Sequence, residues 1–132
     1  LIINCLPDNN IIEINKNNNI ENIYKDIKYI EIEIIDDTLE SSKLYDILIE
    51  KQILTEINIY LENNKKVLIC CNNGIQESPS IAASYLIKYK HFNIVQSINY
   101  IVEKRPIAFF GSINFIRTIE KFRNDYIAKY SK

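Results

Sequence analysis

The chain has no apolar run near the roughly 18 residues a membrane span needs, because charged residues interrupt every isoleucine-rich stretch. A spanning helix is therefore not expected, and no signal-peptide pattern opens the chain. An excess of positive charge is also missing. Sixteen lysines and arginines stand against seventeen aspartates and glutamates, for a net charge of -1, and the lysines alternate with glutamates instead of clustering. Such a surface offers no basic face for nucleic acid. Cysteine is scarce and odd in number, three residues without framework spacing, which excludes a stapled secreted domain and points to a reducing compartment: the cytoplasm, with the nucleus also open. Cys70 and Cys71 are adjacent, with Cα atoms about 3.8 Å apart, too close for an unstrained bridge, so all three are read as thiols. No metal or cofactor is expected. Methionine is absent altogether, and Leu1 already opens what reads as a buried strand, so residues upstream are expected to have been removed or left out.

What is present fits one domain over 1–132, with 47% hydrophobic and 25% charged residues. Leu1 to Cys5 reads as a strand ended by the turn Pro7-Asp8-Asn9-Asn10, and Ile11 to Ile20 as a loop or short hairpin. Tyr29 to Ile35 alternates with period two, a second strand, and Asp36-Asp37 stand at its end. Apolar residues between Ser42 and Leu61 predict one long amphipathic helix. Val67 to Cys70 is a compact apolar run, consistent with a fully buried central strand. A polar loop around Gly74 follows, then a helix opened by Pro79, where a missing N–H costs nothing. Asn93 and Gln96 form a capping box for the next helix, which Arg105-Pro106 ends. Phe115, Ile119 and Phe122 stripe the last. This order predicts an α/β fold, a central, mostly parallel sheet flanked by helices.

The segment from Val67 to Ser80 carries the chemistry. A strand feeds a glycine-containing turn that opens onto a helix, so successive N–H groups and the positive helix end converge on one point. A thiolate or phosphate placed there is stabilised. Cys71, Gly74 and Ser78 in this register resemble the signature His-Cys-x-x-Gly-x-x-Arg-Ser of the dual-specificity, cysteine-dependent protein phosphatases. Pro79-Ser80-Ile81, Arg105-Pro106-Ile107 and Phe115 to Phe122 continue the likeness, which runs from about Tyr29 onward. Leu1 to Cys5 resembles an early family strand, implying that the family's first strand and helix are absent and the N-terminal part of the fold is missing.

The resemblance implies Cys71 as nucleophile, Ser78 as hydrogen-bond partner of its sulfur, and a phosphate loop of Cys71, Asn72, Asn73, Gly74, Ile75, Gln76 and Glu77. It also implies a general acid seven residues after Tyr29, at Asp36, with Asp37 in reserve. Two positions depart from the family: Cys70 replaces its histidine, and Glu77 replaces the arginine that grips phosphate. A guanidinium offers two parallel charge-assisted bonds to an oxyanion, and a carboxylate repels one.

Two functions follow as expectations. One is a pseudophosphatase that binds a protein partner; a loop with a carboxylate could prefer an unphosphorylated or basic one. The other is a working phosphoprotein phosphatase in which another cation, Arg105 first, replaces the lost contact. A sulfur carrier of the rhodanese type is a third idea that the helix after Pro79 argues against. Cys5 and Cys70 read as core filling, His91 as a solvated helix end, and Asp36-Asp37 also fit a simple turn.

Overall fold

A computed structural model describes residues 1–6 and 26–131. The turn expected at Pro7 to Asn10 and the loop or hairpin expected over Ile11 to Ile20 lie outside the described residues. Three short strands, β1 (Ile2–Asn4), β2 (Tyr29–Glu31) and β3 (Leu68–Cys70), pair in parallel in the order β2-β1-β3. Ile3 stands opposite both Ile30 and Ile69. Parallel neighbours need crossover connections, and helices supply the one before β3. The helices are α1 (Ser41–Glu50), α2 (Ile53–Glu62), α3 (Glu77–Lys90), α4 (Ile94–Lys104) and α5 (Ile116–Tyr130). The α/β arrangement is the expected one.

α3 is the hub, packed against α2, α4, α5 and β3. Its hydroxyls explain how a helix with polar residues can be buried nearly all round. Ser80 and Ser84 are fully buried, and each donates to the carbonyl four residues earlier, Gln76 O at 2.6 Å and Ser80 O at 2.8 Å. Neither needs a partner from outside the helix. α5 meets this hub with the stripe Phe115, Ile119 and Phe122, and its Thr118 N–H donates to Ser41 Oγ at 3.0 Å, tying α5 to the start of α1. The capping box of α4 is present, with Gln96 N–H donating to Asn93 Oδ1 at 2.8 Å and Asn93 N–H to Gln96 Oε1 at 3.0 Å.

Two expectations need correction. The single helix from Ser42 to Leu61 is two helices, broken at Gln52, which takes a left-handed conformation with φ 51° and ψ 39°. The reason is one of phase. At about 100° per residue, Ile53 lies roughly half a turn away from Leu44 on a continuous helix, so Ile53 and Ile57 would face opposite to Leu44 and Leu48. The break at Gln52 swings both sets into the core, and all four are buried. That burial outweighs the roughly 1–2 kcal/mol a left-handed residue costs.

Among the described residues, β3 is also an outer strand and β1 the middle one, contrary to the expected fully buried central strand at Val67 to Cys70. Leu68 is 56% exposed. A short apolar run does not distinguish the two positions, because what covers each face is contributed by distant parts of the chain. The other expected strand ends its ladder at Glu31, yet its alternation continues: Ile32 and Ile34 are buried, while Glu33 and Ile35 are exposed.

Candidate active site

Cys71 follows β3 at the start of a loop that α3 ends. Its sulfur lies 3.1 Å from Ser78 Oγ and accepts the Gly74 N–H at 3.2 Å. The loop keeps this amide inward because its carbonyls are held on the other side. Arg105, at the end of α4, donates Nη2 to Asn73 O at 3.0 Å and Nε to Gly74 O at 3.3 Å, and Phe109 N–H donates to Ile75 O at 2.8 Å. Peptide N–H and C=O point in opposite directions, so anchoring carbonyls outward turns amides toward the sulfur. Gly74 has φ +70°, and a Cβ there would stand 2.7 Å from Arg105 Nη2. Both the turn and the close approach of Arg105 require glycine. A further donor is taken locally, as Ile75 N–H bonds to Asn73 Oδ1 at 3.2 Å.

Cys71, Asn72, Asn73, Gly74, Ser78 and Arg105 border an open depression of about 370 Å³. Asn72 and Asn73 also border a neighbouring one of about 230 Å³, with Ile34, Ile35, Asp36 and Glu77. The two aspartates are used differently. Asp37 Oδ1 accepts Leu39 N–H at 3.0 Å and caps a single 3-10 turn over Thr38–Glu40, while Asp36 faces the depression it shares with Glu77.

Asn114 holds these parts together, and the sequence reading did not single it out. Its backbone N–H donates to Gln76 Oε1 at 2.9 Å and its Nδ2 to Asp36 Oδ1 at 2.7 Å. Gln76 in turn donates to Ser112 O at 2.8 Å. One residue thus ties the cysteine loop to the aspartate loop. A polar residue just before a helix reads as a local cap; nothing in its neighbours announces a bond spanning 78 positions.

A family model described as the dual specificity phosphatase catalytic domain matches residues 3–125. The chain belongs to the dual-specificity phosphatase family. The 123R protein of Invertebrate iridescent virus 6, whose name places it among tyrosine phosphatases, is 34% identical over 88 residues, 67% of this chain and 59% of that protein. Human dual specificity protein phosphatase 5 is 39% identical over 52 residues, 39% of this chain and 14% of that one. The chain therefore spans less than two thirds of these relatives. The crystal structure of human DUSP28 superposes with a TM-score of 0.71 over 97% of this chain and 79% of that one; at 12% identity this shows a shared fold.

One carboxylate belongs to the cysteine loop itself, Glu77, at the position where the resemblance implies arginine. It opens α3, is 6% exposed, and lines the depression beside Asp36. Burial raises its pKa above the ordinary carboxyl value, and the nearby Asp36 adds to the rise, while its own backbone N–H and the Cys71 thiol act against it. A helix N-terminus favours an anion by about 0.3–1 kcal/mol, so the upward direction means that desolvation wins.

The consequence for stability has a definite sign. The unfolded chain titrates this carboxyl near 4.5 and the folded site holds it higher, so between those values the folded state binds the extra proton. Stability is thus lost as pH rises through that window. Glu77→Gln removes the charge and is expected to stabilise the domain at pH 7, a gain that disappears below pH 4.5. Urea unfolding at both pH values checks it; an equal difference at the two would be inconsistent with a titrating Glu77.

Cys5 fills the core as expected, whereas Cys70, also expected there, borders the Cys71 depression because the loop opens beside it. Cys5 is fully buried, and burial pushes its pKa far up. Cys70 is half-buried and donates to Ile3 O and Asn4 Oδ1, both at 3.6 Å, its pKa also raised by burial. All three cysteines are free thiols. His91 is the left-handed cap at the end of α3, exposed beside Tyr126 and Tyr130.

Proposed function

We propose that this domain is a pseudophosphatase, which keeps the family's fold and cysteine loop and acts by binding a protein, with phosphoester turnover lost or very slow. The observation that carries this reading is the buried Glu77 carboxylate at the position of the phosphate-gripping arginine. Arg105 borders the Cys71 depression, but its Nε and Nη2 are engaged by the carbonyls of Gly74 and Asn73, which supports a bracing role for it.

A second reading, a slow phosphatase, draws support from the sulfur of Cys71, which retains Ser78 and the Gly74 amide as partners. In that reading the thiolate attacks phosphorus, Asp36 gives its proton to the departing ester oxygen, and water then cleaves the phosphocysteine. Asp36 suits the role better than Asp37, whose side chain caps the 3-10 turn. Hydrolysis of p-nitrophenyl phosphate separates the two readings. The domain is expected to match its own Cys71→Ser variant; a rate above that variant would establish the slow phosphatase.

A further inference from the structure

We propose that the depression between Glu77 and Asp36 is a cation site that takes the side chain of an arginine from an unphosphorylated partner segment. This rests on the pseudophosphatase reading and names the chemistry of its partner.

Glu77 is more than nine-tenths buried, opens into the depression, and has no ion pair among the described residues; the pairs found there are Lys28–Glu56 and Lys43–Glu40. Asp36 stands close enough to disfavour its charge. A single positive group between the two carboxylates relieves the charge that burial and Asp36 disfavour on Glu77. Asn114 Nδ2 fixes Asp36 Oδ1 beside this depression. The nearest arginine of the loop, Arg105, donates to the carbonyls of Gly74 and Asn73.

The walls match a guanidinium on an aliphatic stem. Asn72 and Asn73 border the depression beside the carboxylates, and Ile34 and Ile35 form its apolar side, Ile35 being 64% exposed. Leu39, 86% exposed, stands three residues beyond Asp36. Apolar side chains at the rim cover the methylene stem, and the planar fork reaches two carboxylates at once, which a compact ammonium does less well. A divalent metal is a poorer fit: the described residues contain no group of three or more metal-ligating side chains, and oxygen-preferring cations need more ligands than two carboxylates provide.

The test titrates the domain with acetyl-Ala-Arg-Ala-amide, its alanine counterpart and its phosphotyrosine counterpart, followed by the amide resonances of residues 72 to 77. The arginine peptide is expected to shift those resonances saturably, and the other two are not. Glu77→Gln is expected to weaken the arginine peptide at least tenfold. Asp36→Asn, at an exposed position that carries no risk to the core, is expected to weaken it severalfold. If hydrolysis is absent and the arginine peptide gives no saturable shift, or binds both variants as tightly as the parent, the cation site is overturned and the pseudophosphatase reading stands. Saturable phosphotyrosine shifts with Cys71-dependent hydrolysis overturn both.

Discussion

Glu77→Arg is expected to give the domain Cys71-dependent hydrolysis of an aryl phosphate at least about a thousandfold faster than the parent. Two unit charges 4 Å apart interact by about 4 kcal/mol at an effective dielectric of 20, and the substitution turns a repulsion of that kind into an attraction. Each 1.36 kcal/mol is about tenfold in rate, so several kcal/mol supports the stated gain even after generous screening. Cys71 Sγ has Ser78 Oγ at 3.1 Å and the Gly74 amide at 3.2 Å, and Asp36 is fixed by Asn114. The neighbouring depression of about 230 Å³ leaves room for the longer side chain. The control is Cys71→Ser in the Glu77→Arg background, where the gain must disappear. A Glu77→Arg protein that folds but stays as slow as this control would mean that more than the arginine has been lost.

Phe115→Ala is expected to destabilise the fold by about 3–5 kcal/mol, a large share of the roughly 5–15 kcal/mol typical of a domain. Phe115 is fully buried immediately before α5, within the core that also holds Ile81 and Ile119. Its removal leaves a cavity that packed helices fill only in part. The effect reaches the site through the neighbouring residue: Asn114 binds both Gln76 and Asp36, and its placement depends on how the chain enters α5. Denaturant unfolding should show the lost stability. Hydrogen exchange should show the Asn114 amide opening well before the middle of α3. A loss under 1 kcal/mol would mean that the core closes over the gap and that Phe115 does not anchor this corner.

Much of the site can be read along the chain because its parts are local. A strand, a glycine turn and a helix within fourteen residues place Cys71, Gly74 and Ser78 in fixed register, and Glu77 stands immediately before Ser78 in that register. The capping box at Asn93 is equally local, since its two bonds join residues three apart. Even the break at Gln52 is present in the apolar pattern, as the half-turn phase shift between Leu44 and Ile53.

Other features depended on contacts between distant positions. Arg105 ends a helix in the sequence and braces the cysteine loop in the fold, across 31 and 32 positions. Asp37 caps the 3-10 turn and Asp36 is held by Asn114, a difference set by contacts that the adjacent pair does not announce. The outer place of β3 depended on which strands came to lie beside β1.

The sequence by itself determined the family, the α/β order of elements and the identity of the charge at position 77, because residue type and short-range spacing are properties of the chain alone. Only the tertiary structure decided that this charge is buried beside Asp36 with no cation among the described residues paired to it, and that Arg105 donates to the carbonyls of Gly74 and Asn73. Burial and electrostatic environment are set by what the rest of the fold places around a group, and residues dozens of positions away supply that.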